Sequence, residues 1–137
     1  MNYKLNSLKP LYAKVAFIWG MVFLIAGMLF LIIPNVLTEH LNDLAQVLML
    51  NGEIHAPSGT LWHVLTISLM GLLVYLAFQS AQNPQQKNLF VALLLAKSIS
   101  VIGFIWLTYN LGTAWLVCAM ADASVAFTLL ATYPKNK

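Results

Sequence analysis

Lys97 and Asp122 are the two side chains of this chain that lie in the middle of apolar segments and could carry chemistry there. Lys97 interrupts "LFVALLLAKSISVIGFIW", and Asp122 interrupts "CAMADASVA". A lone charge at the centre of a membrane-spanning helix costs roughly 2.5–3.5 kcal/mol on insertion scales, so opposite charges at one depth are expected to pair. Such a pair could exchange a proton or anchor the polar head of a lipophilic ligand.

The depths of the two residues support pairing. If the helix with Lys97 begins near Asn88, Lys97 lies about 13 Å from one membrane face. If the helix with Asp122 ends near Thr132, Asp122 lies about 15 Å from the same face. The connection around "TYNLG" is very short, which makes the two helices antiparallel neighbours. The alternative to a functional pair is a structural one that fixes the register of the helices.

Four further polar residues are candidates for a ligand-binding or relay group around this pair. Ser100 follows Lys97 by three residues and Cys118 precedes Asp122 by four, spacings that place residues on one helix face. Cys118 is more simply read as a small packing residue. Ser68 and Tyr75 share one face of another apolar segment, and this face could look into the same interior.

The three histidines, His40, His55 and His63, fall on one side of the predicted membrane and could bind a metal. Their spacings of 15 and 8 residues match no familiar zinc pattern, which favours polar surface over a metal site. A haem held by two histidines is not expected either, because only His63 belongs to a spanning segment. The sequence therefore assigns no cofactor.

The composition indicates a membrane protein. Of 137 residues, 61% are hydrophobic and 8% are charged, against about 25% charged in an average soluble domain. All basic residues are lysines, and most lie near the chain ends or in one loop, so nucleic acid is not expected as a partner. The single cysteine excludes an intrachain disulfide.

Four apolar stretches are long enough to cross a bilayer: about 15–33, 61–78, 89–108 and 112–132. Their apolar runs are continuous, which indicates helices and not alternating barrel strands. Between the first two, "VLTEHLNDLAQVLMLNG" places Leu37, Leu41, Leu44 and Leu48 on one stripe and ends at Asn51-Gly52. The predicted fold is all-α: one integral membrane four-helix bundle over residues 1–137, with an amphipathic helix in the outer loop.

The lysines also predict an orientation. Lys4, Lys9 and Lys14 precede the first span, Lys87 separates the second and third, and Lys135 and Lys137 follow the fourth. Positive residues favour the cytoplasmic side, so both termini are predicted there, in a bacterial inner membrane. Four aromatic residues fall at the opposite, outer ends of the spans, where an interfacial belt is expected: Trp62, Trp106, Tyr109 and Trp115.

The first span, "FIWGMVFLIAGMLFLIIPNVL", combines spaced glycines with a closing proline, and Ala16, Gly20 and Gly27 lie on one side of it. With four short spans, the chain resembles the DoxX-like group of small four-helix bacterial membrane proteins. The resemblance implies an accessory membrane protein, with a link to quinone-dependent oxidoreduction in some members.

Two functions from different classes follow. The first is a non-enzymatic multi-pass protein: an accessory subunit of a larger membrane complex, a homo-oligomer, or a binder of a quinone or lipid in the bilayer. The second is a proton- or ion-translocating element with Lys97 and Asp122 as its relay. An enzyme with the pair as acid and base is least favoured, because the water such chemistry needs is scarce at that depth.

Overall fold

The computed structural model describes residues 3–56 and 59–134, with side chains from Pro10 onward other than that of Thr60. These residues form five α-helices, a single turn of 3-10 helix and no strand, so the predicted all-α class is confirmed. The helices are α1 (Tyr3–Ile32), α2 (Pro34–Val47), α3 (Thr60–Gln82), α4 (Lys87–Leu111) and α5 (Leu116–Thr132), and the 3-10 turn is Thr113–Trp115. Lys135 and Lys137, used for the predicted orientation, lie outside the described residues.

Four helices are long and apolar enough to cross a membrane, which is the mark of a multi-pass membrane protein. The spanning segments are Pro10–Ile32, Leu61–Gln82, Lys87–Leu111 and Thr113–Thr132. α3 and α4 extend beyond the predicted apolar runs, because a helix continues through polar residues until a breaker stops it. Asn83-Pro84 follows α3, and Gly112 follows α4 with a φ of 125°.

The junction of α1 and α2 differs from the prediction. Ile33 leaves the helical region, with φ −140° and ψ 60°, and Pro34 opens α2 at once. Proline suits the first turn of a helix, where its missing N–H would have no partner. The second helix therefore starts directly at the proline that ends the first.

The predicted leucine stripe of α2 is only partly the face that packs. Thr38 and Ala45 are its buried residues, whereas Leu44 and Leu48 are exposed. α2 also ends at Val47, before the predicted stop at Asn51-Gly52. Small side chains allow close approach of α2 to the rest of the molecule; Leu41 packs beside them, and Leu44 and Leu48 are left on the flank.

The four long helices follow one another around the molecule in the order α1, α3, α4, α5. Successive helices are antiparallel, because the start of each helix lies beside the end of its neighbour. At one end, here termed the terminal end, Tyr12 lies against Phe90 and Tyr133 and donates a 3.1 Å hydrogen bond to Ser80 Oγ. The start of α1, the end of α3, the start of α4 and the end of α5 thus share this end.

At the other end, here termed the loop end, hydrogen bonds to the backbone of the long loop join it to its neighbours. Asn42 brackets Ile54: its Nδ2 donates to the Ile54 carbonyl at 3.0 Å, and its Oδ1 accepts from the Ile54 N–H at 2.7 Å. The N–H of Ala114 donates to the Asn51 carbonyl at 2.8 Å. The long loop is therefore attached to both α2 and the 3-10 turn that precedes α5.

α1 and α3 pack closely through small residues. Ala16 and Ala77 are fully buried, and a Cβ added at Gly20 would lie 2.9 Å from the Phe78 ring. Nearer the loop end, a Cβ at Gly27 would lie 3.3 Å from Met70 Cβ. The predicted packing side of the first span is confirmed, and its partner is α3.

Candidate functional site

Lys97 and Asp122 form a direct ion pair. Lys97 Nζ donates to Asp122 Oδ1 at 2.7 Å. Lys97 follows the first residue of α4 by ten residues and Asp122 precedes the last residue of α5 by ten, so both lie about 15 Å from the terminal end. The contact predicted from the sequence is confirmed, at matching depths on neighbouring helices.

A third helix, α1, covers the ion pair. The Lys97 ammonium lies 4.5 Å from the centroid of the Phe23 ring, which comes from α1 on the far side of the ring of helices. The side chains of Lys97 and Asp122 are 6% and 14% exposed. An ammonium over an aromatic face is attracted by the ring quadrupole, most strongly where water is displaced. The lysine therefore has an anionic partner on one side and an aromatic partner on another.

Phe23 is itself held in place from α5. Trp19 stacks on Phe23 with ring centroids 6.2 Å apart, and its indole N–H donates to Thr128 Oγ1 at 2.9 Å. This hydrogen bond ties α1 to α5 near the pair. The arrangement joins α1, α4 and α5 through polar contacts in an otherwise apolar interior.

The parts played by Trp19 and Phe23 were missed from the sequence, although a signal was present. Tyr12, Ala16, Trp19 and Phe23 are spaced by four, three and four residues, which places them on one helix face. Ala16 also belongs to the predicted packing side of the first span. The aromatic residues on that side were therefore candidates for contact with the buried lysine.

The predicted inward orientation of Ser68 and Tyr75 is wrong. Both face outward from α3, with Tyr75 59% exposed, and the Ser68 hydroxyl donates to the Val64 carbonyl at 2.8 Å. α3 turns its small residues Ala77 and Ser80 toward the interior instead. A serine in lipid can satisfy its hydroxyl on its own helix, so a polar stripe need not face the interior.

Ser100 and Cys118 lie near the pair in sequence but are not hydrogen-bonded to it. Ser100 is half-buried, and its hydroxyl makes no hydrogen bond within the described part of the chain. Cys118 is a free, half-buried thiol that packs against the apolar cluster at the loop end, formed by Ala45, Ile54, Ala114 and Val117. Its surroundings are those of a packing residue.

The small residues around Asp122 are divided between two sides of α5. Ala119 and Val125 are buried, whereas Ala121, Ala123 and Ser124 are exposed. Only the buried side of this run packs against neighbouring elements. The exposed side leaves a smooth face toward the surroundings of the protein.

The histidines do not converge. His40 lies 3.8 Å from Asp43 on the exposed face of α2, His55 is exposed in the loop, and His63 is half-buried in α3. Residues 3–56 and 59–134 contain no group of three or more His, Cys, Asp or Glu side chains placed to hold a metal ion.

Two grooves lie between α1 and α3. The first has a volume of about 480 Å³ and lies near the terminal end, beside Lys14 and Gln82. The second, of about 120 Å³, is lined by Phe23, Gly27 and Met70 among others, and Lys97 does not line it. Phe23 thus contacts the ammonium and also reaches the wall of a groove.

The chemistry open to the site follows from its enclosure. The two charges neutralise each other, and their partners in the described structure are protein groups. Asp122 retains a small exposed fraction, whereas Lys97 is almost fully covered. The pair can therefore fix three helices in register, and a proton transfer between its two members is the one reaction its own groups offer.

Comparison of the chain with protein-family models, with curated proteins and with solved structures finds no match.

Proposed function

We propose that this chain is a four-helix integral membrane protein without catalytic activity, which acts as an accessory subunit of a membrane complex or as a binder of a quinone or lipid. In this proposal the Lys97–Asp122 pair is a structural ion pair that holds the helices in a defined arrangement. The observation that carries the proposal is the enclosure of this pair by Phe23, with both charges neutralised by protein groups.

The outer surface of the four long helices supports an assembly or ligand role. Large apolar side chains are exposed along every one of them, for example Ile25 on α1, Leu69 on α3, Ile102 on α4 and Phe127 on α5. A surface of this kind is suited to lipid, to a lipophilic molecule or to another apolar helix. The small exposed residues Ala121, Ala123 and Ser124 would admit a partner helix closely.

The groove beside Phe23 supports the lipophilic-ligand form of the proposal. A ring or chain in the groove of about 120 Å³ would contact the same aromatic side chain that covers Lys97. Binding there would therefore affect the ion pair through Phe23. A DoxX-like accessory role, with its implied quinone connection, is consistent with this position and remains a prediction.

In the proposed orientation the terminal end faces the cytoplasm of a bacterial inner membrane and the loop end faces outward. Lys14 and Lys87 lie toward the first end, and Glu39, Asp43 and Glu53 lie toward the second, which is the charge asymmetry expected of a membrane protein. α2 would then lie at the outer interface, with its exposed carboxylates toward water and Leu44 and Val47 toward lipid.

Purification in a mild detergent tests the proposal. Native mass spectrometry of the released protein is expected to show a partner chain, a second copy, or retained quinone or lipid. A bare monomer that retains none of these would contradict an accessory or binding function.

Flux measurements in liposomes separate this proposal from ion translocation. The wild-type protein, Lys97→Met and Asp122→Asn are each expected to leave a proton gradient as stable as in protein-free vesicles. A leak in the wild type that both substitutions abolish would instead identify the pair as a relay.

A further inference from the structure

The larger groove between α1 and α3 is not lined by Lys97 and lies at the terminal end of the spanning helices. It has a volume of about 480 Å³, within the range of roughly 300–1,000 Å³ found for small-molecule sites. Ala13 and Ala81 form part of its wall, and Phe17 and Phe78 continue it toward the membrane interior. It is therefore apolar along most of its length.

Helix packing explains why the groove exists. Ala16, Gly20 and Ala77 bring α1 and α3 together on the inner side, and the ring pair Phe17–Phe78, with centroids 5.5 Å apart, bridges the helices farther along. Toward the terminal end the outer side is left with alanines, which are too short to fill the space between the helix axes. A depression open to the lipid remains.

Among the side chains that the structure describes, Lys14 brings a positive charge to the polar end of the groove. Lys14 lines it and is exposed, and Gln82, the last residue of α3, lines it beside the lysine. The four acidic residues of the chain lie elsewhere: Glu39, Asp43 and Glu53 belong to the loop end, and Asp122 is paired with Lys97. The polar end is therefore suited to an anion with an uncharged tail.

We propose that this groove binds one anionic phospholipid, with its headgroup phosphate at Lys14 and Gln82 and an acyl chain along Ala13, Ala81, Phe17 and Phe78. The proposal rests on the membrane integration and orientation proposed above and names one lipid partner at a site separate from the ion pair. Basic pockets between spanning helices on the cytoplasmic side are suited to acidic lipid headgroups, because charge attraction adds to burial of the chain.

Lipid retention tests this site. The full-length protein is reconstituted in vesicles of equal parts phosphatidylglycerol and phosphatidylcholine, and native mass spectrometry measures the ratio of the two lipids retained after extraction. Wild-type protein is expected to retain phosphatidylglycerol preferentially. Lys14→Gln is expected to lower that preference by about fivefold, as removal of one lysine charge near a headgroup would.

A matched control removes the same charge outside the groove. Lys87 is exposed at the first residue of α4 and does not line the groove, so Lys87→Gln is expected to keep the wild-type preference. A second variant, Ala81→Leu, fills the groove and leaves Lys14 in place. It is expected to lose the tightly retained lipid of either kind.

Three outcomes would overturn the proposal. Equal losses in the Lys14 and Lys87 variants would indicate general surface charge, and an unchanged amount of retained lipid in Ala81→Leu would separate lipid retention from the groove. A change of oligomeric state in Ala81→Leu without a change in lipid would assign the groove to a second copy. Failure of the protein to enter these mixed vesicles at all would instead contradict the proposed membrane integration.

Discussion

Lys97 occupies a position where an ammonium is costly unless its charge is met. The Lys97 ammonium has two partners: Asp122 Oδ1 lies 2.7 Å from its Nζ, and the centroid of the Phe23 ring lies 4.5 Å from it. Desolvation of two charges can exceed the attraction between them, so a buried ion pair is better evidence for a defined arrangement than for high stability. The cost of losing one partner should therefore exceed the cost of losing both.

This asymmetry gives the first prediction. Lys97→Met and Asp122→Leu are each expected to lower the free energy of unfolding by about 3 kcal/mol, because either one leaves an uncompensated buried charge. The double variant is expected to recover most of that loss. Tryptophan fluorescence during unfolding in mixed micelles measures all four proteins of the cycle.

The matched control is Lys87→Met, because Lys87 is exposed and makes no ion pair in the described part of the chain. It should unfold like the wild type. If the two single variants and the double variant lose stability additively, the pair does not behave as a coupled unit and its structural role is rejected.

At the scale of the elements, the loop end depends on two glycines whose backbones touch. Gly112 and Gly52 have φ values of 125° and 94°, a region that favours glycine. A Cβ added at Gly112 would lie 2.8 Å from the Asn51 carbonyl oxygen and 2.9 Å from Gly52 Cα. Both neighbours are backbone atoms, which cannot turn aside as a side chain would.

The second prediction follows from this contact. Gly112→Ala is expected to destabilise the protein by about 1–3 kcal/mol, through strain at a positive φ together with the clash. Gly103→Ala is the control, because Gly103 lies within α4 and an added Cβ there would meet no atom within 4 Å apart from its chain neighbours and its own helix backbone. That change is expected to stabilise slightly, by about 0.5–1 kcal/mol. Equal effects in the same unfolding assay would contradict the packing at the loop end.

Element type was predictable from the sequence, whereas the ends of elements and the directions of side chains were less so. Apolar runs of spanning length fix helices in lipid, because every backbone group must find its partner within the segment. The end of α2 depends on a turn at Leu48–Leu50 that includes Met49 at φ 56°, and no glycine or proline there signals it. The expected inward orientation of Ser68 and Tyr75 rests on polarity as a sign of an interior-facing side chain, which fails for Ser68 because its hydroxyl donates to the Val64 carbonyl of its own helix.

At the scale of the whole molecule, the Lys97–Asp122 contact was predictable because two rare charges at one depth have few other partners. Phe23 was not singled out, because phenylalanine is common in spanning helices and only its spacing from Ala16 placed it on the packing side. The order α1, α3, α4, α5 around the molecule brings α1 opposite α4. That order depends on packing between helices distant in sequence, which helix periodicity alone does not determine.

The whole molecule also carries the last prediction, which concerns orientation. The start of α1 and the ends at Gln82, Lys87 and Tyr133 share the terminal end, so one reporter there and one at the loop end determine the orientation of the whole protein. Lysine asymmetry places the terminal end in the cytoplasm.

With Cys118 changed to Ser, single cysteines at Glu53 and Lys87 provide these two reporters, since both positions are exposed. In intact cells a membrane-impermeant maleimide is expected to label Glu53→Cys and to label Lys87→Cys only after permeabilisation. The reverse pattern would invert the orientation and move the groove beside Lys14 to the outer leaflet, and labelling of both positions in intact cells would contradict insertion across the membrane.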